Sequence, residues 1–132
     1  MKMSTKGRYA LTIMTYLAKE YDSSKYVSLK EIADKEKLSS KYLEKIMLSL
    51  KSNDYFDILR GNNGGYKLKY DPSKYKVGEI LRNVEGDLSP VECNKECDKK
   101  ESCTTYPFWQ GLSDEINSYV DNKNLSDLIG RN

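Results

Sequence analysis

Apolar residues recur along the start of the chain at intervals of three and four positions. In the stretch KGRYALTIMTYLAKEY they fall at i, i+3, i+4, i+7 and i+8, namely at Ala10, Ile13, Met14, Leu17 and Ala18. This spacing places them on one face of a helix. The pattern therefore predicts an amphipathic helix whose apolar face is buried.

The same spacing returns twice more, and a short break separates the two stretches. Ser28 followed by Glu31 has the spacing of a capping box, in which hydroxyl and carboxylate bond the free N–H groups at a helix start. The break falls at residues 36–38, and Ser39 is then a favourable N-cap for another helix. The buried positions are expected at Leu29, Ile32, Ala33, Leu43, Ile46, Met47 and Leu50. Two such helices joined by a tight break are typical of a helix-turn-helix.

A β-hairpin is predicted directly after this pair of helices. Two runs with residues that favour strands, 55–60 and 66–70, flank the sequence GNNGG. Glycine and asparagine tolerate the positive φ that hairpin turns require. A hairpin in this position is the wing of a winged helix.

The rest of the chain is predicted to be helical on either side of a polar segment. KVGEILRNVEGD favours a short helix ending near Gly86, and PFWQGLSDEINSYVDN favours a longer one starting at Pro107, which is acceptable in a first turn. The fold class is therefore mainly α with a small β-hairpin. We expect a winged helix-turn-helix domain at 1–86, a cysteine-containing loop at 87–106, and the long helix with a short closing helix at 107–132.

Length and charge narrow the class of protein. The 132 residues are 38% apolar and 32% charged, which suits one domain with a modest core that a dimer contact would help to stabilise. Residues 1–80 carry 16 Lys/Arg and 10 Asp/Glu, a balance of +6, whereas residues 81–132 carry 6 and 10, a balance of −4. The basic part suggests a polyanionic partner, although a solvated lysine-rich surface explains the charge equally well.

Two further classes of protein are excluded at this point. The chain has no histidine, so no imidazole base can serve a Ser-His or Cys-His pair, and no phosphate-cradling loop precedes a helix. We therefore expect that it is not an enzyme. No stretch approaches the roughly 20 apolar residues of a membrane span, so we expect a cytoplasmic protein with no membrane partner and with reduced thiols.

The motifs VSLKEIA, YLEKIM, RGNNGGYKL and VGEILRNVEG, with the opening MSTKGRYAL and the closing LSDLIG, resemble the Rrf2 family of bacterial transcription regulators. The likeness runs over nearly the whole chain and is strongest over residues 1–86. It implies a homodimeric winged-helix repressor or activator that binds double-stranded DNA at a pseudo-palindromic operator. It also implies that the long C-terminal helix packs on the partner subunit.

The second helix of the helix-turn-helix carries the candidates for reading bases. Side chains near the start of such a helix reach base edges in the major groove. Lysine can donate to guanine and glutamate can accept from cytosine, and Glu44 lies at a family position implicated in discriminating operators. The alternative for Glu44 is a surface pair with Lys41. The candidates are Ser39, Ser40, Lys41, Glu44 and Lys45.

The wing and the first helix supply further candidates for DNA contact. Arg60 lies at the family's wing-arginine position, and arginine is favoured in a narrow minor groove; the alternative is a tip that touches only phosphate. Lys6, Arg8 and Tyr42 are candidates for phosphate contacts, although Tyr42 could instead be buried against the first helix. The tip candidates that accompany Arg60 are Asn62, Asn63, Gly64 and Gly65.

All three cysteines, Cys93, Cys97 and Cys103, lie within eleven positions. Thiolates are soft ligands suited to iron–sulfur clusters and to zinc, and a thiol redox switch or a loop without a ligand also fits. The resemblance implies that family members with three cysteines here carry an iron–sulfur cluster, commonly of the 2Fe–2S type. A second possibility within the family is a regulator of cysteine and sulfur metabolism controlled by a protein partner or a thiol switch. A third is a DNA-binding subunit that assembles on other proteins.

The fourth ligand of such a cluster stays open. The first two cysteines are closer together than in cluster-binding relatives, and Tyr106 stands where some relatives have a histidine. Arg8 falls in the region where other relatives have an acidic ligand. A non-protein thiol or an open site also fits. The local carboxylates are Glu85, Asp87, Glu92, Glu96, Asp98 and Glu101.

Overall fold

The computed structural model describes residues 3–91 and 102–130. Within them the chain forms six α-helices and one two-stranded hairpin, so the predicted fold class is confirmed. The helices are α1 Thr5–Lys19, α2 Leu29–Glu36, α3 Ser40–Lys51, α4 Val77–Glu85, α5 Tyr106–Asp121 and α6 Leu125–Leu128. The strands are β1 Phe56–Leu59 and β2 Gly65–Leu68, and short 3₁₀ turns occupy Tyr21–Ser23 and Pro72–Lys74.

The first three helices bury the faces that their spacing predicts. The five apolar positions of α1 and the seven of α2 and α3 are all buried in one core. The break between α2 and α3 is made by Lys37, which adopts a left-handed conformation with φ 56° and donates its N–H to the carbonyl of Ala33. The helix-turn-helix therefore follows from apolar spacing and from one chain reversal.

The predicted capping box is only half formed. The Ser28 hydroxyl accepts a hydrogen bond from the N–H of Glu31, as expected. The Glu31 carboxylate, however, accepts from the Tyr16 hydroxyl at 2.8 Å and from Lys25 at 3.1 Å. These partners come from α1 and from the loop before α2, so the carboxylate joins elements instead of closing its own helix end.

The wing is fastened to the chain just before α2. Val27 and Tyr66 exchange both backbone hydrogen bonds at 2.8 Å, which forms an isolated antiparallel bridge between Val27 and β2. This approach needs glycine at position 65, because a Cβ there would lie 2.4 Å from the Val27 carbonyl oxygen. The strands themselves are shorter than the predicted runs, with Phe56 opposite Leu68 and Leu59 opposite Gly65.

The last helix returns to the core of the first domain. Leu125 of α6 is fully buried in the same cluster as α1, α2 and α3. The Val77 N–H donates to the Lys123 carbonyl at 2.9 Å, and the Leu125 N–H donates to the Tyr75 carbonyl at 3.1 Å. The division of the chain at residues 86 and 107 stays a prediction, and the packing joins residues 123–125 to the DNA-binding part.

Helix α5 leaves two of its large apolar side chains exposed. None of its residues is fully buried, and Phe108 and Tyr119 are 63% and 66% exposed. Only its C-terminal half meets a core, where Ile116 and Val120 pack against Val77, Leu81 and Leu88. None of the helices in the described part of the chain is long and apolar enough to cross a membrane.

Candidate DNA-binding surface and cysteine segment

Helix α3 and the wing face each other across an open groove of about 1100 Å³. The groove is where most of the predicted DNA-contacting residues meet. They line it from two sides, with Ser39, Lys41, Tyr42, Glu44 and Lys45 on α3 and with Arg60, Gly64 and Gly65 in the wing. Ser40 at the first turn of α3 and Asn62 and Asn63 at the wing tip are exposed beside it.

The outer face of α3 follows from how the helix is capped and packed. The Ser39 hydroxyl accepts from the Tyr42 N–H at 3.3 Å, which confirms the predicted N-cap. Because Leu43, Ile46 and Met47 are buried, Lys41, Glu44 and Lys45 are turned to solvent. Glu44 forms no salt bridge within residues 3–91 and 102–130, so the alternative of a surface pair with Lys41 is not observed.

Tyr42 is half-buried, and it both contacts α1 and lines the groove. Its ring meets Tyr9 of α1 edge to face, with 5.4 Å between ring centres. The burial against the first helix that the sequence left open is therefore present. Tyr42 also lines the main groove and a second cavity of about 230 Å³, where Lys6 and Lys45 are its neighbours.

The wing tip is shaped by glycine geometry. Gly61 has φ 112°, and the Gly64 N–H donates to the Gly61 carbonyl at 3.0 Å to close the turn. A Cβ at Gly64 would lie 2.0 Å from the Leu59 carbonyl oxygen, so this position admits no side chain. Gly64 and Gly65 therefore have a structural role in the turn, whereas Arg60 leaves the hairpin exposed and free to reach a ligand.

The start of α1 is held by a residue from α4. The Glu85 carboxylate accepts hydrogen bonds from the N–H and the hydroxyl of Ser4, the N-cap of α1. Partial burial raises the pKa of Glu85, but the hydrogen bonds from Ser4 and the charge of Lys6 outweigh it and hold the pKa below its usual value. This anchor fixes the helix turn that carries Lys6 and Arg8, both of which are exposed.

The sequence interpretation missed several residues of the groove. Its rim also carries Lys30 and Lys51, and its floor carries exposed apolar side chains from α3 and β1. Spacing could have indicated Leu48, since it interrupts an otherwise polar outer face of α3. The strand residues carry no comparable signal, because alternation alone does not show how far a strand extends beyond the core.

Known proteins match this arrangement over almost the whole chain. The profile of the Rrf2 family, described as an iron-dependent transcriptional regulator, matches residues 3–131. The chain belongs to the Rrf2 family. It is 39% identical to the transcriptional regulator CymR of Bacillus subtilis over 97% of this chain and 89% of that protein. It is 31% identical to the regulator IscR of Escherichia coli over 98% and 80%.

Solved structures of the family share the fold. The structure of CymR, the global cysteine regulator of B. subtilis, superposes with a TM-score of 0.83 at 36% identity. The match covers 98% of this chain and 97% of the other. The chain is therefore a transcriptional regulator and not an enzyme, as predicted.

The cysteine segment of this Rrf2 protein is described only in part. Cys93 and Cys97 lie outside the described residues, as do Glu92, Glu96, Asp98 and Glu101. Cys103 is partly exposed just before α5, with its thiol 3.4 Å from the Thr105 hydroxyl. In the described ranges no three His, Cys, Asp or Glu side chains come together as a metal site.

Several predicted ligand positions have other partners. Glu85 is engaged by Ser4, and an Asp87 oxygen accepts from the Ser89 N–H at 3.0 Å. Tyr106 is the first residue of α5, and its hydroxyl donates to Gln110. The donor chemistry that fits an iron–sulfur cluster is thus that of the three thiols, which are soft ligands.

Proposed function

We propose that the protein is a homodimeric transcriptional regulator that binds double-stranded DNA at a pseudo-palindromic operator. The observation that carries the proposal is the groove between α3 and the wing. Its lining includes five cationic side chains and one carboxylate, namely Lys30, Lys41, Lys45, Lys51, Arg60 and Glu44. A concave surface with this excess of positive charge attracts a polyanion.

The shape of the groove supports separate roles for its two sides. The first turns of α3 would enter the major groove, where Ser39, Ser40, Lys41, Glu44 and Lys45 meet base edges. The phosphates repel the unpaired Glu44 carboxylate unless it accepts a hydrogen bond from a cytosine amine. Glu44 would therefore weaken binding to sequences that lack this cytosine. The wing would enter the minor groove with Arg60, Asn62 and Asn63, while Lys6, Arg8 and Tyr42 would contact phosphates.

The uncovered apolar face of α5 supports the homodimer. Phe108 and Tyr119 would otherwise remain in water on a helix whose C-terminal residues Ile116 and Val120 pack against a core of the described residues. Exposed apolar surface of this extent marks an interaction site. In a two-fold dimer the two α3 helices would meet major grooves one helical turn apart, about 34 Å.

We further propose that the three cysteines hold an iron–sulfur cluster, of the 2Fe–2S type, which would supply a charge sensitive to iron, oxygen and oxidants. Cys93, Cys97 and Cys103 would be its protein ligands. Their segment begins after Glu85, which anchors α1, and ends at α5, which is bonded to α4 by Arg82. A cluster that binds one arrangement of the segment more tightly than another would shift the protein towards that arrangement. The shift would act on both the DNA-binding part and the dimer helix.

A second candidate is a regulator of cysteine or sulfur metabolism without a cluster. The 39% identity to CymR of B. subtilis favours it, because the solved structure of CymR is described as that of a global cysteine regulator. In that case a protein partner or oxidation of a thiol would change DNA affinity. Two cysteines separated by only three residues, Cys93 and Cys97, would be available for such oxidation.

Two experiments test these proposals separately. The full chain is titrated with a palindromic promoter duplex at several salt concentrations, and log affinity should fall steeply with log salt because neutralised phosphates release counterions. A flat response would overturn the DNA-binding proposal. The protein is then reconstituted anaerobically with iron and sulfide. A visible charge-transfer spectrum that Cys97→Ala abolishes, together with altered operator affinity, supports the cluster; a colourless protein with unchanged binding favours the second candidate.

A further inference from the structure

Three large apolar side chains are exposed inside the cationic groove. Leu48 on α3 is 68% exposed, and Ile58 and Leu59 on β1 are 45% and 46% exposed. All three line the groove between α3 and the wing. We call these residues the apolar patch. Single exposed apolar residues are common on soluble proteins, but several that converge on one binding surface indicate a contact.

The secondary structure places the patch beside the predicted base-reading residues. Leu48 follows Lys41 by seven positions and Glu44 by four, so the three share one face of α3. Ile58 lies on the same side of β1 as Phe56, because strand residues alternate sides. Phe56 is buried in the core, whereas Ile58, on the same side of the strand, lines the groove.

The surroundings of the patch identify the kind of partner. The groove that contains it is also lined by Lys30, Lys41, Lys45, Lys51 and Arg60. A partner that covers the patch must tolerate this charge and also offer an apolar group, and DNA does both. Among the base edges of the major groove, only thymine presents an apolar group, its C5-methyl.

We propose that Leu48, in the groove that Ile58 also lines, contacts the methyl group of a thymine and makes the regulator select an A·T pair. This proposal rests on the DNA-binding function proposed above and adds a specificity residue to it. Four residues of helix rise span about 6 Å, and base pairs are about 3.4 Å apart. The selected pair therefore lies about one to two base pairs from the pair that Glu44 reads.

The test compares thymine with uracil, which pairs identically but lacks the methyl group. An operator is first selected from random duplexes with the full chain, and each thymine is then replaced singly by uracil. Wild-type protein should lose about three- to fivefold in affinity at one thymine per half-site, the ratio that corresponds to burial of one methyl group. Leu48→Ser should bind the thymine operator more weakly and should bind the two operators equally.

A matched control is Leu128→Ser, which changes an exposed leucine on α6 outside the groove. It should keep the sensitivity to uracil. A wild-type protein that selects an operator but tolerates uracil at every position overturns the proposal and leaves DNA binding intact. Sensitivity that persists in Leu48→Ser assigns the methyl contact to another side chain and also overturns it. Failure to select any sequence contradicts the proposed function itself.

Discussion

The guanidinium of Arg82 donates two parallel hydrogen bonds to the carboxylate of Asp121. The Nη1–Oδ1 distance is 2.7 Å and the Nη2–Oδ2 distance is 3.0 Å, and Nη2 also donates to the side-chain oxygen of Asn117. Arg82 belongs to α4 and the two acceptors belong to α5. This bidentate pair therefore sets the angle at which α5 leaves the DNA-binding part.

Breaking the pair should cost little stability but change DNA binding. The side chains are 33% and 43% exposed, so solvent screening keeps their coupling below about 1 kcal/mol. A double-mutant cycle with Arg82→Leu and Asp121→Asn, followed by urea unfolding, measures it. Operator affinity should fall by up to this coupling, because α5 is held less firmly on α4. Glu115→Gln, an exposed acid on the same helix, serves as the control.

The same pair predicts a dependence on pH. The hydrogen bonds from Arg82 hold the pKa of Asp121 below its ordinary value of 3.8. The contribution to stability is therefore present above pH 3.8 and is lost as pH falls through the lower pKa of the folded state. Unfolding of the wild type and Asp121→Asn at pH 7 and pH 3 should show a difference that shrinks in acid. A constant difference would contradict this assignment.

Gly78 makes room for the pair. A Cβ there would lie 2.1 Å from the Asp121 Oδ1 atom and 2.9 Å from Arg82 Nη1. Alanine in place of glycine within a helix ordinarily stabilises by up to about 1 kcal/mol. Gly78→Ala should show none of that gain in thermal unfolding, because it displaces the pair.

Gly65→Ala should loosen the wing. Its Cβ would approach the Val27 carbonyl carbon to 2.5 Å, and backbone atoms cannot yield as a flexible side chain can. We expect a loss of about 1–3 kcal/mol in the free energy of unfolding, and weaker operator binding. Asn63→Ala at the exposed tip is the control and should leave stability within about 0.5 kcal/mol. Equal losses in both variants would contradict the backbone explanation.

The hydroxyl of Tyr75 holds the base of the hairpin. It donates to the Tyr55 carbonyl at 2.7 Å and accepts from the Tyr70 N–H at 3.0 Å. Tyr75→Phe should cost about 1–3 kcal/mol, since it removes two hydrogen bonds that are each worth about 0.5–1.5 kcal/mol. Tyr26→Phe, in the loop before α2, keeps the ring that Lys67 covers at 4.8 Å and should cost almost nothing. Chemical denaturation at pH 8 compares the two.

Tyr75 should also limit stability in alkali. Burial raises its pKa from 10 to about 12. The neutral phenol is favoured in the folded state, so its contribution is complete below pH 10 and is lost as pH rises towards 12. Denaturation of the wild type between pH 9 and pH 12 should show falling stability, and Tyr75→Phe should flatten the curve. An unchanged slope in the variant would assign the alkaline loss to other groups.

Arg60 and Lys6 should affect DNA binding in different ways. If Arg60 makes a base contact in the minor groove, Arg60→Ala should weaken specific binding by about 1–3 kcal/mol. If Lys6 makes a phosphate contact, Lys6→Ala should weaken binding to all sequences and lower the salt slope by about one. Lys74→Ala, an exposed lysine outside the groove, should change neither. Fluorescence anisotropy with specific and random duplexes separates the outcomes.

The elements that could be predicted are those specified by neighbours along the chain. Apolar spacing placed α1, α2 and α3, and the glycines around residues 61–65 placed the hairpin. The relationships that sequence reasoning missed join distant positions. Arg82 and Asp121 are 39 residues apart, and Ser4 and Glu85 are 81 apart. No local spacing indicates such pairs, because either partner alone is an ordinary polar surface residue.

Part of the candidate site could likewise be predicted from local sequence, and part could not. The lining of α3 follows from its buried face, so Lys41, Glu44 and Lys45 could be assigned from spacing alone. Helical spacing also gave α5 an apolar face, but spacing cannot show what covers it, and Phe108 and Tyr119 remain exposed in the subunit. The groove's apolar floor depended on where β1 ends relative to α3, which only the three-dimensional packing shows.

The burial of Leu125 has a consequence for synthesis on the ribosome. Its side chain is fully enclosed by the core that α1, α2 and α3 form, and removal of such a residue typically costs about 2–5 kcal/mol. A nascent chain that has not reached this residue therefore lacks part of its DNA-binding core. The cysteines and α5 precede Leu125 in the chain, so both have been synthesised before this core can be completed.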